Sequence, residues 1–326
     1  MIRRTVLPQR VAIVVLVATN GCSNDSRPSG DRLCTVVAPL VGGAAAEETR
    51  LDAIGTIGTV TDTGEFMPVC SATLIGPSTV LSAKHCSVGF VNANREGGGL
   101  GGWAFALGWN AREPYAVYPI VQAITMDPST GGFTGLGADV VVMTTDAPIV
   151  DVEPIPPIEK RIDVNRNGEA FMTYGFGSTS SDERSSPWRR RGGRVRLWAV
   201  SGNIFEILYG SYEAFVDAVR SEALLGARVP QCGTLASEDE GLLSEVYRAG
   251  ELQPRVEAWL VGDPEDGAAQ TCFGDSGGPL VVDAESDAPR VAGVVSWSWR
   301  SGGAACDHGT VYSLVDGSSV GVNGGE

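Results

Sequence analysis

Short apolar runs rich in Val, Ile, Thr and aromatic residues recur along the chain, each bounded by Gly, Pro, Asn or Asp. They include Ala53–Val60, Val117–Met126, Val140–Thr145, Glu169–Phe176, Arg194–Val200, Val291–Ser298 and Thr310–Val315. β-Branched and aromatic side chains suit a pleated surface, and the residues between them favour turns, so the pattern predicts an all-β fold. Two stretches break the rhythm. Ser211–Leu225 and Glu238–Leu252 carry apolar residues at helical spacing, as in Phe215, Val216, Val219 and Leu224.

Composition narrows the function classes. An apolar fraction of 43% over 326 residues is ample for a core, and no stretch reads as a linker between domains. The formal charge of −15 argues against nucleic acid as a partner, because no broad basic face compensates it. The one basic run, Trp188–Arg196, reads as a solvated loop entering a strand, with a docking patch or self-cleavage site as the alternative. Gly97–Gly102 is not a phosphate loop, since no Lys-Ser/Thr pair opens a helix after it, and it reads as a surface loop. No metal-binding cluster or calcium loop stands out, and no cofactor is expected.

The chemistry concentrates in Cys272-Phe273-Gly274-Asp275-Ser276-Gly277-Gly278-Pro279. A serine on a tight glycine turn presents a hydroxyl and aims backbone N–H groups at the same point. A serine hydroxyl is a weak nucleophile, so it needs a base from elsewhere. The chain has two histidines. His85 ends the segment Cys70–Cys86, which reads as strand, Gly-Pro turn and strand with the histidine at the strand's end. A Cys70–Cys86 bridge would close that hairpin. His308 lies in a Gly-rich loop and reads as a surface residue. A carboxylate opening an apolar strand between histidine and serine is supplied by Asp139 in Gly137–Met143.

With these segments in the order His, Asp, Ser, the chain resembles the trypsin/chymotrypsin-like serine endopeptidases from about Leu40 to about Val320. Leu40-Val41-Gly42-Gly43, Tyr174-Gly175-Phe176-Gly177, Val294-Val295-Ser296-Trp297 and Val311-Tyr312 extend the match, while Lys84 departs from the family's usual alanine. The resemblance implies two packed six-stranded antiparallel β-barrels with the active site between them. It implies a serine protease domain over 40–320, a pro-segment over 22–39 and a tail over 321–326. Residues from about 202 to 254 stand where the family has a shorter connection. They read as a partly helical insertion in the second barrel, either a surface elaboration or a specificity or docking element.

The resemblance also implies roles. Ser276 would attack the scissile carbonyl, His85 would carry the proton, and Asp139 would fix the histidine's tautomer. The N–H groups of Gly274 and Ser276 would form the oxyanion hole. Ser296 would hydrogen-bond Asp139, and Trp297 would begin the strand edge where a peptide pairs. Asp275 would pair with the new amino terminus at Leu40 after pro-segment cleavage, although Pro39 does not suit a protease selective for Arg or Lys. Gln270 would floor the specificity pocket in place of the aspartate that selects basic residues. Ser298 and Thr310 would narrow its walls, which implies cleavage after small or medium uncharged residues. Partners would be peptide and protein substrates and an activating protease of unknown identity. A catalytically silent binding protein on the same fold is the alternative; such proteins usually lack one of the three residues that are all present here.

The amino-terminal segment carries a different message. A basic start, Arg3-Arg4, and the short apolar core Val11–Ala18 form an export signal over 1–21, too short to span a bilayer. Thr19-Asn20-Gly21-Cys22 resembles a lipoprotein cleavage box, so Cys22 is a candidate for lipidation, with plain secretion the alternative. The chain is expected in the cell envelope or outside the cell. Seven cysteines is an odd number, and assigning Cys22 to lipid leaves six. The resemblance implies bridges Cys70–Cys86 and Cys272–Cys306; Cys34 and Cys232 are then left to pair, which would keep the pro-segment attached.

Overall fold

The computed structural model describes residues 43–87, 102–126, 137–179, 187–224, 240–263, 269–298 and 309–321. All lie within the unit Val37–Glu326. After the short β1 (Ala44–Ala45) come β2 (Ile54–Val60), β3 (Phe66–Gly76), β4 (Thr79–Ser82), β5 (Trp103–Leu107), β6 (Ala116–Thr125) and β7 (Val141–Thr145). These six close into an antiparallel barrel in the order β2-β3-β4-β7-β6-β5. Ile54, Ile57, Leu74, Val80, Leu81, Phe105 and Met143 fill its interior. The register shift between Ile57 and Gly58 in β2 supplies a local bend of the kind a small barrel needs to close.

The second half repeats the solution. It comprises β8 (Ala170–Gly175), β9 (Arg191–Ala199), β10 (Gly202–Asn203), β11 (Glu251–Leu252), β12 (Glu257–Gly262), β13 (Pro279–Val282), β14 (Arg290–Ser298) and β15 (Thr310–Leu314). The order β9-β12-β15-β14-β13-β8 closes through the β8–β9 pairing, giving a second six-stranded antiparallel barrel with β1 added outside β9. Phe171, Leu197, Leu260, Leu280, Val295 and Tyr312 form its interior. Tyr174, Phe176, Val281 and Val294 belong instead to the apolar cluster of the first barrel, so the two barrels share a packed seam. The all-β expectation and its two-barrel form are therefore met.

Between β9 and β12 the chain turns helical. β10 and β11 pair antiparallel and bracket α1 (Ile204–Tyr209), α2 (Tyr212–Leu224) and α3 (Glu240–Ala249). The Asn203 side chain caps α1 by accepting the N–H groups of Phe205 and Glu206, and Gly210 ends the helix at φ 85°. Phe205, Phe215, Leu243 and Val246 bury one face of the helices against Trp259, Val311 and Trp297. The Phe205 and Trp297 rings lie 6.4 Å apart between centroids. Among the described residues no helix is long and apolar enough to cross a membrane.

The basic run corrects the sequence expectation of a solvated loop. Arg190 is among the most buried side chains of the described residues. Its guanidinium donates to the carbonyl oxygens of Ala46, Glu48, Leu51 and Ile54 and pairs with Asp52. Arg189 lies over the Trp109 ring, Arg191 donates to the Gly43 carbonyl, and Arg196 pairs with Asp263. The run fastens the segment around β1 to β9, and little of it is left as a docking patch.

Candidate active site

β4 ends at Ser82, and a single 3-10 turn, Lys84–Ser87, carries His85. The histidine thus stands just beyond the strand rather than at its end. The Cys70–Cys86 disulfide ties that turn to β3. Asp139 precedes β7, where its N–H donates to Ser313 Oγ at 3.1 Å and Ser313 Oγ donates to the Gly137 carbonyl at 3.0 Å. A polar residue in the buried strand β15 therefore shapes the aspartate's approach.

The Asp139 carboxylate accepts three hydrogen bonds. Oδ2 lies 2.7 Å from His85 Nδ1 and accepts Ser296 Oγ at 2.7 Å, while Oδ1 accepts the His85 backbone N–H at 2.9 Å. Burial works to raise the Asp139 pKa, but the His85 hydrogen bonds and charge and the Ser296 hydroxyl outweigh it and hold it below its ordinary value. An ionised carboxylate only accepts, so His85 Nδ1 is the donor in this pair, which in a neutral imidazole makes Nε2 the acceptor. The Asp139 side chain is 3% exposed and that of His85 32%. The Asp139 carboxylate is sealed and the His85 ring is reachable.

The Ser276 loop is set by pinned peptide units. Ser178 N–H donates to Phe273 O at 2.6 Å, Asp275 N–H to Cys272 O at 3.0 Å, Gly278 N–H to Asp275 O at 2.8 Å and Gly277 N–H to Val295 O at 2.8 Å. From the first barrel, the Ser71 N–H donates to Ser276 O at 2.9 Å. Among the described residues, the N–H groups of Gly274 and Ser276 are left without partners, as an oxyanion site requires. Gly274 has φ 92° and Gly277 φ 79°, a region that penalises a Cβ. A Cβ on Gly277 would also lie 2.1 Å from Ser82 Oγ and 2.9 Å from Ala83 N. The Ser276 loop therefore touches the chain two residues before His85.

Asp275 is fully buried. Its oxygens accept the N–H groups of Gly177 at 2.7 Å and Cys272 at 2.8 Å, and burial raises its pKa to about 7. Gly177 makes room for it, because a Cβ there would lie 2.5 Å from the Asp275 Cγ. Leu40, its expected partner, lies outside the described residues, as do Cys22, Cys34, Cys232, Cys306 and His308. Cys272 is itself disulfide-bonded.

Around the expected pocket, Gln270 Oε1 accepts the Gly309 N–H at 3.2 Å. The Thr271 and Thr310 hydroxyls meet at 2.6 Å in a buried pair, and Ser298 is the cross-strand partner of Thr310. Thr271 escaped the sequence reading, although its neighbour Gln270 did not. Trp297 is half-buried against the helical insertion. For a metal, the nearest candidate set among the described residues is Cys70, His85 and Cys86, and both sulfurs are consumed in the disulfide.

The trypsin family model matches residues 247–317, a span that holds the Ser276 loop, Ser296 and Thr310 but neither His85 nor Asp139. Among solved structures the chain is similar to mouse neuropsin, described as a serine protease expressed in the limbic system of mouse brain. That match has a TM-score of 0.51 at 16% identity and covers 83% of this chain and 93% of the other. At that identity the likeness is one of fold. No curated protein matches the chain.

Proposed function

We propose that this chain is a serine endopeptidase of the trypsin/chymotrypsin type, hydrolysing peptide bonds through His85, Asp139 and Ser276. One observation carries the reading: the buried Asp139 carboxylate orients an accessible His85 while the Ser276 loop presents two N–H groups that have no partner among the described residues. His85 Nε2 takes the Ser276 proton as Oγ attacks the scissile carbonyl, and returns it to the leaving amine. Asp139 stabilises the imidazolium formed between those events. The N–H groups of Gly274 and Ser276 receive the developing oxyanion, and one such donor is worth roughly 3–4 kcal/mol. Expulsion of the amine breaks the peptide C–N bond and leaves the acyl group esterified to Ser276 Oγ. Water, giving its proton to His85, then attacks that ester, and His85 returns the proton to Ser276 Oγ as the acid product leaves.

Gln270 would offer the pocket a neutral amide, and side chains at Thr310 and its hydroxyl partner Thr271 would limit the pocket's depth, which favours cleavage after small or medium uncharged residues. Export, lipidation at Cys22 and processing before Leu40 belong to the same proposal. The test is labelling of the processed protein by a fluorophosphonate probe, with Ser276→Ala as control. Labelling that disappears in the variant is expected; equal labelling of both proteins, or none of the processed parent, overturns the reading.

A further inference from the structure

We infer that Ser71 is a positioning residue of this active site, its hydroxyl and backbone fixing the loop that carries Ser276 so that the Gly274 and Ser276 N–H groups face one point. The inference rests on the hydrolytic reading above. Ser71 belongs to β3, on the first barrel, and is fully buried. A buried hydroxyl is costly unless hydrogen-bonded, and this one is bonded twice. Its Oγ accepts the Phe176 N–H at 3.0 Å and donates to the Gly274 carbonyl at 2.8 Å. Its N–H donates to Ser276 O, and its own carbonyl accepts Ser82 Oγ at 2.8 Å.

The geometry gives those bonds a task. The Gly274 N–H belongs to the peptide before that residue, and the Gly274 carbonyl to the peptide after it. At a glycine the two planes turn easily against each other, so the orientation of one does not fix the other. The Phe273 carbonyl is held by Ser178, and the Asp275 N–H by Cys272 O. The Ser71 hydroxyl completes the set by holding the Gly274 carbonyl. Without it, the Gly274 carbonyl and the Phe176 N–H lose a buried partner, and the loop gains a reason to turn toward others. Donors aimed at a transition state lose their effect when the loop carrying them moves.

Ser71→Ala and Ser71→Thr in the processed protein test this with a chromogenic peptide substrate, a peptide boronate and thermal melting, rates being normalised to sites counted by fluorophosphonate labelling. Ser71→Ala should lower kcat about 10-fold to 100-fold with KM within about twofold, and weaken the boronate in proportion. Ser71→Thr, which keeps the hydroxyl, should recover most of the rate. A Ser71→Ala protein with parental kcat, or a loss appearing only as fewer labelled sites or a higher KM, overturns the inference. Should Ser71→Ala not fold, Ser71→Gly is read by the same criteria. A parent that neither hydrolyses substrate nor takes the label overturns the hydrolytic reading, and this inference with it; a labelled parent with an unaffected variant overturns this inference alone.

Discussion

Both carboxylate oxygens of Asp139 are committed to the same neighbour: Oδ2 to Nδ1 of His85 at 2.7 Å, and Oδ1 to the His85 backbone N–H at 2.9 Å. The aspartate therefore fixes both the ring and the turn that bears it. Asp139→Asn keeps the shape but allows the wrong tautomer. It should lower kcat about 10⁴-fold with the melting temperature nearly kept, as read by peptide hydrolysis beside circular dichroism. Ser296→Ala removes only one of the three donors and should cost much less.

Glu257 predicts how stability depends on pH. Its carboxyl is fully buried in β12, accepting the N–H groups of Gly137 and Gln253, and burial raises its pKa to about 7, with a smaller push from nearby Asp139. A folded pKa above the unfolded value means stability that is complete below the unfolded pKa and lost as pH rises through 7, here roughly 3 kcal/mol. Melting temperatures of the unprocessed protein between about pH 5 and pH 8 should fall in the parent and fall less in Glu257→Gln, with Asp275, unpaired with an amino terminus in that form, supplying the remaining slope. Parallel curves for the two proteins would refute this.

Arg190 holds the stretch Ala46–Ile54 against β9. Arg190→Met strands several buried carbonyls and the Asp52 contact, and should destabilise by about 3–5 kcal/mol. At the usual sensitivity for a chain of this size, calorimetry should find the melting point lower by roughly 10 °C.

The Thr271–Thr310 pair predicts specificity. Thr310→Gly removes one of the two side chains that meet there and should raise kcat/KM for substrates with aromatic P1 residues relative to alanine by roughly tenfold or more. A substrate panel measures this, and an unchanged ranking would move the pocket wall elsewhere.

Local pattern alone determined the helical stretches before and after position 225, the segments bearing His85, Asp139 and Ser276, and many of the strands, though not β5, β12 or β13. Alternation, turn residues and helical spacing are properties of neighbours in sequence, so they can be read before folding. The basic run misled because nothing local shows that Arg190 would meet the Ala46 carbonyl 144 residues away. Ser71, Ser313 and Thr271 were equally hidden: each is a small polar residue in an apolar setting, a signal that marks burial but not the partner. The Asp275 donors at Gly177 and Cys272, and the room that Gly177 leaves for the carboxylate, arise only once β8 and the serine loop are packed together. Sequence supplied the groups and their order. Their hydrogen bonds, burial and pKa shifts were decided by tertiary packing, because each depends on distances between atoms that chain connectivity leaves free.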